Sequence, residues 1–295
     1  MKKIIAVVGP TASGKSDLAV ELALKFNGEV ISADSRQVYT GLDIGTGKIT
    51  GEEMKGIPHY LLDVADVSSV FTISDYERLA LEAVDYIESR GRLPILCGGT
   101  GFYINAVLYK DSFAKVPPDE KIRAELAKMT TAEMAEKLKE LDIERYKTID
   151  VNNPMRLIRA LEIVLSTGTP VPEYDRSPRF NALKLGILWS KEDLDRRIET
   201  RLDKRLENGL VEEVKSLIGS GVGYDRLYDL GLEYRYLSLY LKGDLDYKEM
   251  RTKLLSAIRA YAKRQMTWFK KDKDVIWLKP DELEKAFDLT QEFIK

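Results

Sequence analysis

Three stretches of the 295-residue sequence carry residue types at spacings that chemistry needs. Gly9-Pro10-Thr11-Ala12-Ser13-Gly14-Lys15-Ser16 fits the pattern G-x-x-x-x-G-K-[ST]. In a loop that opens a helix, its backbone N–H groups would cradle phosphate oxygens at the positive helix end. Lys15 would neutralise phosphate charge, and the Ser16 hydroxyl would bind Mg²⁺. The pattern specifies phosphates without saying which molecule carries them. The second stretch is Ala33-Asp34-Ser35-Arg36-Gln37-Val38-Tyr39. Asp34 could act there as a general base facing the phosphate loop, and it could equally close an Asx turn at a strand exit. Gly98-Gly99-Thr100-Gly101 is a second potential phosphate-binding turn, although glycine-rich turns after strands are common. Asp63, after Tyr60-Leu61-Leu62, fits either a metal-holding aspartate or a strand end. His59 follows Pro58 and reads as a turn residue rather than a ligand. No Ser/His/Asp triad and no metal-ligand spacing stands out.

Hydrophobic patterning and breakers predict the elements that must position these residues. Residues 3–8 form a continuous apolar run ending in Gly9-Pro10, as a buried strand does before a loop. Residues 17–26 have the apolar positions of a helix stopped by Asn27-Gly28, and 29–33 is a second short strand. Ser74 and Asp75 can cap a helix running to about Ser89, with Gly91 beyond it. A third strand, 93–97, leads into Gly98-Gly99-Thr100-Gly101. Strands alternating with helices imply βαβ units and a parallel sheet, with ligands gathered at the strands' carboxyl ends. After Pro117-Pro118 the chain turns to short, charged, helix-forming stretches as far as Gly168. A strand-like run at 183–189 resumes the sheet, followed by helices near 191–207, 210–217 and 247–271, a strand at 274–278 and a C-terminal helix. The expected fold is α/β: a P-loop NTPase-like parallel sheet flanked by helices. Residues 1–114 and 183–295 would form its core, interrupted by an all-helical insertion at 115–182.

Composition narrows the class. A 44% hydrophobic share excludes wholesale disorder, and the apolar runs are only strand-sized, so none would span a bilayer. Met1-Lys2-Lys3 leads straight into a strand without a signal-peptide core. The single cysteine, Cys97, excludes an intramolecular disulfide and a cysteine-cluster zinc site, which suits a cytoplasmic protein. The formal net charge of −2 argues mildly against a polyanionic partner. Local balance differs: residues 1–114 carry 11 basic and 15 acidic side chains, whereas 251–273 carry 8 basic ones against Asp272 alone. That basic run is interleaved with Tyr261, Trp268 and Phe269. A solvated helix face, the commoner case, and nucleic-acid contact both fit such a texture.

Taken together, the motifs resemble the bacterial form of the tRNA dimethylallyltransferase family. The resemblance rests on the Gly9 to Ser16 loop, Asp34-Ser35-x-Gln37-Val38-Tyr39, Asp43-Ile44-Gly45-Thr46-Gly47-Lys48 and Pro58-His59. It continues with Gly98-Gly99-Thr100-Gly101-x-Tyr103, Arg156-x-x-Arg159-Ala160-Leu161-Glu162 and Tyr261-Ala262-Lys263-Arg264-Gln265-x-Thr267-Trp268-Phe269. These run in the family's order over about residues 3–270, and a generic P-loop kinase would share only the first. The resemblance implies transfer of a dimethylallyl group from dimethylallyl diphosphate to N6 of adenosine 37, with Mg²⁺ as cofactor; a monomer is the expected state, although the sequence leaves it open. It also implies that the helical insertion grips the tRNA anticodon stem-loop. On this basis Asp34, Thr100 and Arg201 are catalytic, and Gly9, Pro10, Thr11, Ala12, Ser13, Gly14, Lys15 and Ser16 bind diphosphate. Asp34, Ser35, Arg36, Gln37, Thr100, Arg123, Met155, Arg156, Leu157, Ile158 and Arg159 contact tRNA. Met155 replaces an expected Gln, Tyr60 stands where a second His is usual, and Gly231-Leu232-Glu233-Tyr234 replaces an Ile-Gly-Tyr-Lys-Glu-like run. The Cys/His zinc finger of eukaryotic relatives is absent from the sequence.

Two other classes share some of these features. A P-loop kinase or nucleoside-triphosphate hydrolase would use the first motif, but no base-recognition motif or persuasive Walker B strand accompanies it. A non-catalytic RNA-binding protein would explain the basic C-terminal run and leave the phosphate loop and Asp34 idle.

Overall fold

Strands β1 (Lys3–Val8), β2 (Gly28–Ser32), β3 (His59–Tyr60), β4 (Leu93–Gly98), β5 (Asn181–Ile187) and β6 (Val275–Leu278) form one sheet. The computed structural model describes residues 1–110, 113–173 and 177–295. Within them the sheet order is β3-β2-β4-β1-β5-β6, and every pairing is parallel. The middle strands are buried on both faces, which is why they read as unbroken apolar runs rather than as alternating ones. Ile5, Val7, Val30, Ile95 and Leu185 share a core with Leu18 and Leu22 of helix α1 (Lys15–Phe26) and with Phe287 near the C-terminus.

The molecule divides into two compact units, Met1–Leu108 with Pro178–Lys295, and Tyr109–Ser177. The first unit holds the sheet, α1, α2 (Ile73–Ser89) and α3 (Gly101–Leu108). The second holds α4 (Glu120–Leu126), α5 (Thr131–Leu141), α6 (Ile143–Thr148) and α7 (Pro154–Thr167), packed around Leu126, Met134, Leu138, Leu157 and Leu161. Residues 174–176, inside the expected insertion, lie outside the described residues. The chain returns to the first unit with β5 and then α8 (Lys191–Glu207), α9 (Leu210–Gly219), α10 (Tyr224–Leu230), α11 (Leu232–Lys242), α12 (Tyr247–Phe269) and α13 (Leu283–Ile294).

Some expectations shift. Helix α2 is capped by Thr72, whose hydroxyl accepts from the Asp75 amide at 3.2 Å while Asp75 accepts from the Thr72 amide at 3.0 Å. That reciprocal box moves the start two residues ahead of Ser74. Strand β3 is too short to carry a periodic signal. It places His59 in the sheet rather than in a turn, with Nδ1 2.9 Å from the Ile57 carbonyl. Helices α10 and α11 escape the periodicity because Gly231 (φ 75°) breaks one apolar pattern into two short tyrosine-rich pieces.

Candidate active site

The three chemical motifs leave the carboxyl ends of β1, β2 and β4, and these strands are neighbours in the sheet. Their convergence follows from strand order, since open parallel sheets present ligands at that edge. Close approach is enforced at Gly98, where a Cβ would fall on the Ala33 carbonyl. The Ala33 carbonyl accepts instead from the Thr100 amide at 3.1 Å, and the Ala33 amide donates to the Cys97 carbonyl at 2.8 Å.

The loop from Gly9 to Ser16 enters α1 through Gly14 at φ 89°, a left-handed conformation that glycine adopts without strain. No side chain caps α1 there, so its first amides are available to an anion. The loop is braced from behind. Trp189 Nε1 donates to the Ser13 carbonyl at 2.9 Å, Arg197 Nε donates to the Ala12 carbonyl at 2.8 Å, and the Arg197 guanidinium lies 4.4 Å from the Trp189 ring. Lys15 Nζ donates to the Pro10 carbonyl at 3.3 Å, and burial pushes its pKa down. A desolvated ammonium with a carbonyl partner gains strongly from a nearby anion.

Asp34 sits in an Asx turn and also faces the cavity of the phosphate loop. Its Oδ1 accepts from the amides of Arg36 at 2.9 Å and Gln37 at 3.4 Å, so it closes an Asx turn. It also lines a small polar cavity of about 60 Å³ together with Lys15, Ser16, Arg201, Tyr261 and Gln265. Thr100 Oγ1 accepts from the Ser35 amide at 3.1 Å, fixing the peptide after Asp34. Burial and the Asp34 charge push the Tyr261 hydroxyl up to about 12, so it stays protonated beside Thr100. Arg36 and Gln37 are partly committed: Arg36 Nε donates to the Leu230 carbonyl at 2.8 Å, and Gln37 Nε2 donates to the Gly47 carbonyl at 3.3 Å.

Arg201 comes from α8 and donates through Nη2 to the Gly47 carbonyl at 3.3 Å. Burial and the neighbouring Arg205 guanidinium lower its pKa to about 10. Arg205 pairs with Glu233 at 3.1 Å and donates to the Gly45 carbonyl at 3.2 Å. The loop receiving both arginines is pinned by Glu213, whose carboxylate accepts from the amides of Asp43 at 3.1 Å, Ile44 at 2.6 Å and Gly45 at 3.0 Å. Asp63 pairs with Lys48 at 2.5 Å, a structural use rather than a metal-holding one. Tyr60 donates to the buried Glu29 at 2.7 Å. Among the described residues no three His, Cys, Asp or Glu side chains cluster as metal ligands. The donor set that remains, the Ser16 hydroxyl beside an anion cradle, would suit a hydrated Mg²⁺.

The helical unit places the residues expected at RNA in different settings. Arg123 Nε donates to Glu162 Oε1 at 2.6 Å and Arg159 Nη1 donates to Glu162 Oε2 at 2.5 Å, so both arginines are bound to one buried carboxylate. Burial opposes ionisation of Glu162, but Arg123, Arg159 and the Asp119 amide outweigh it and hold the carboxyl at about 2. Leu157 is fully buried in that unit's core and Ile158 packs against it, so neither offers an exposed side chain. Met155 and Arg156 are exposed.

Sequence reasoning assigned no role to Arg205, Glu233, Tyr261 or Gln265. Gln265 had a legible signal, since it interrupts the apolar face that Ile258, Ala262 and Phe269 form on α12. Arg205 and Glu233 had none, because their pairing joins α8 to α11.

A family model described as IPP transferase matches residues 37–272. A tRNA dimethylallyltransferase of Thermoanaerobacter sp. (strain X514) is 40% identical over 304 residues, covering 99% of this chain and 96% of that one. The tRNA dimethylallyltransferase 2 of Shewanella sediminis is 43% identical over 268 residues, covering 91% and 89%. Among solved structures, the tRNA isopentenylpyrophosphate transferase of Bacillus halodurans superposes with a TM-score of 0.76 at 37% identity, covering 99% of this chain and 97% of that one. A eukaryotic dimethylallyltransferase captured acting on tRNA gives a TM-score of 0.86 at 27% identity, covering 100% and 80%.

Proposed function

The chain belongs to the tRNA dimethylallyltransferase family, and we propose that it transfers a dimethylallyl group from dimethylallyl diphosphate to N6 of adenosine 37 in tRNA, releasing diphosphate. The observation that carries this reading is a single cavity lined by a carboxylate, Asp34, beside the phosphate-loop Lys15 and the half-buried Arg201.

In the proposed reaction the allylic carbon–oxygen bond breaks as the N6–carbon bond forms. The bond electrons leave with diphosphate, and the N6 proton passes to Asp34. A carboxylate is too weak a base to deprotonate an exocyclic amine outright, so it accepts the proton as bond formation makes the amine acidic. Lys15, Arg201 and the amides of the Gly9 to Ser16 loop meet the charge that develops on the leaving group. Mg²⁺ held at Ser16 would supply further neutralisation of the diphosphate. Thr100 and Tyr261 orient the Asp34 turn. Adenosine 37 must leave its stack to reach so small a cavity, and a flipped base meets that need.

Exposed Met155 and Arg156 remain available to the anticodon stem-loop. On α12, Arg251 and Arg259 are engaged by Asp203 and Glu199, whereas Lys263, Arg264, Thr267 and Trp268 form an exposed stripe at helical spacing, with exposed Lys271 just beyond the helix end. That stripe, one face round from Tyr261 and Gln265, is the part of the basic run suited to RNA phosphates and bases. Among the described residues no helix is long and apolar enough to cross a membrane. The reading includes a monomer, and the buried Cys97 thiol suits the cytoplasm. The test is to incubate unmodified tRNA with the protein, dimethylallyl diphosphate and Mg²⁺, then map modified nucleosides. N6-dimethylallyladenosine at position 37 is expected, and unmodified adenosine there would refute the reading.

A further inference from the structure

Gln265 is a buried polar side chain on the core face of α12, only 6% exposed. Its Oε1 accepts from the Thr11 amide at 2.8 Å, and its Nε2 donates to the Gly99 carbonyl at 2.9 Å. An amide can only donate and a carbonyl can only accept, so these partners fix the orientation of the side chain. A Cβ at Gly99 would fall on Gln265 Nε2, so glycine is the residue that lets the contact form.

The two partners belong to loops that face different substrates. Thr11 lies within the phosphate loop. Gly99 precedes Thr100, whose Oγ1 holds the Ser35 amide at 3.1 Å and so sets the turn containing Asp34. A continuous line of hydrogen bonds therefore joins the phosphate loop to the carboxylate, and the chemistry itself assigns Gln265 no step. If the two loops moved independently, one of its bonds would break in a low-dielectric site where replacement by water is poor.

We propose that Gln265 is a positioning residue that couples diphosphate binding at the Gly9 to Ser16 loop to seating of the target adenosine at Asp34 and Thr100. The proposal rests on the prenyl-transfer reading above. Coupling of this kind is reciprocal, so each ligand raises affinity for the other by one factor, typically about 5-fold or more.

Calorimetric titration measures that factor directly. Inorganic diphosphate with Mg²⁺ is titrated into the protein with and without an anticodon stem-loop RNA carrying unmodified adenosine 37. Wild-type protein is expected to show a factor of about 5 or more. Gln265→Met removes both hydrogen bonds and should bring the factor close to one, the factor being the ratio of diphosphate affinities with and without RNA, in which a change of single-ligand affinity cancels. Gln265→Asn keeps the amide but shortens its reach, and it should fail to restore coupling. A melting curve confirms that each variant is folded. An unchanged factor in folded variants would overturn the proposal, as would a wild-type factor of one or a variant that loses diphosphate affinity alone. Wild-type protein binding neither ligand would instead remove the functional reading, and the proposal with it.

Discussion

At the scale of single residues, Asp34 has a structural duty in its turn and, in the proposed reaction, a chemical one, and a substitution can separate them. Asn in its place keeps an oxygen for the Arg36 and Gln37 amides, so the turn survives while the proton acceptor is lost. Asp34→Asn should slow single-turnover transfer by roughly 10²–10⁴-fold. Filter binding should find tRNA affinity within a few-fold of wild type, and the opposite pattern would remove Asp34 from the chemistry. Arg201 makes a different prediction. Its charge is destabilised by burial and by Arg205, so Arg201→Met should not lower the melting midpoint. It should raise the Michaelis constant for the prenyl diphosphate by roughly 10–100-fold, the worth of a hydrogen bond to a charged group. The Gly9 to Ser16 loop was legible from spacing because local chain geometry dictates it, whereas the residues around Asp34 left a base and an Asx turn equally open. Arg205 and Glu233 were not, since a side-chain pair across two helices leaves no trace in either helix's own pattern.

At the scale of elements, the helical unit depends on one ion cluster. Glu162 titrates at about 2 in the folded protein, below the ordinary carboxylate range near 4.3 expected of the unfolded chain. A depressed acid stabilises the fold above the unfolded value and loses that contribution as pH falls through the folded one. Thermal midpoints of the unit should therefore drop between about pH 4.5 and 2. Glu162→Gln should flatten that acid limb and cost roughly 2–3 kcal/mol near neutrality, because it strands Arg123 and Arg159. Circular dichroism melts across that pH range check both parts. The strands β1, β2 and β4 were legible because burial on both faces demands unbroken apolar runs. On α7 the spacing of Arg156 and Arg159 was legible, whereas the pairing of Arg159 with Glu162 three residues on, which leaves Arg156 exposed, was not.

At the scale of the molecule, a formal charge of −2 averages over regions of opposite sign. RNA affinity should follow local charge placement rather than that average. Replacing Lys263, Arg264 and Lys271 with Gln should weaken tRNA binding and shrink the salt slope by roughly 0.7 for each phosphate left without its cation. The same substitutions at Arg251 and Arg259, which are engaged by α8 carboxylates, should leave the slope nearly unchanged. The central claim, that this phosphate loop serves a prenyl diphosphate rather than a nucleoside triphosphate, is tested most directly by label transfer. The protein is incubated in parallel with labelled dimethylallyl diphosphate and with labelled ATP, each with and without tRNA. Label entering tRNA from dimethylallyl diphosphate alone is the predicted result, and ATP turnover without any prenyl transfer would contradict it.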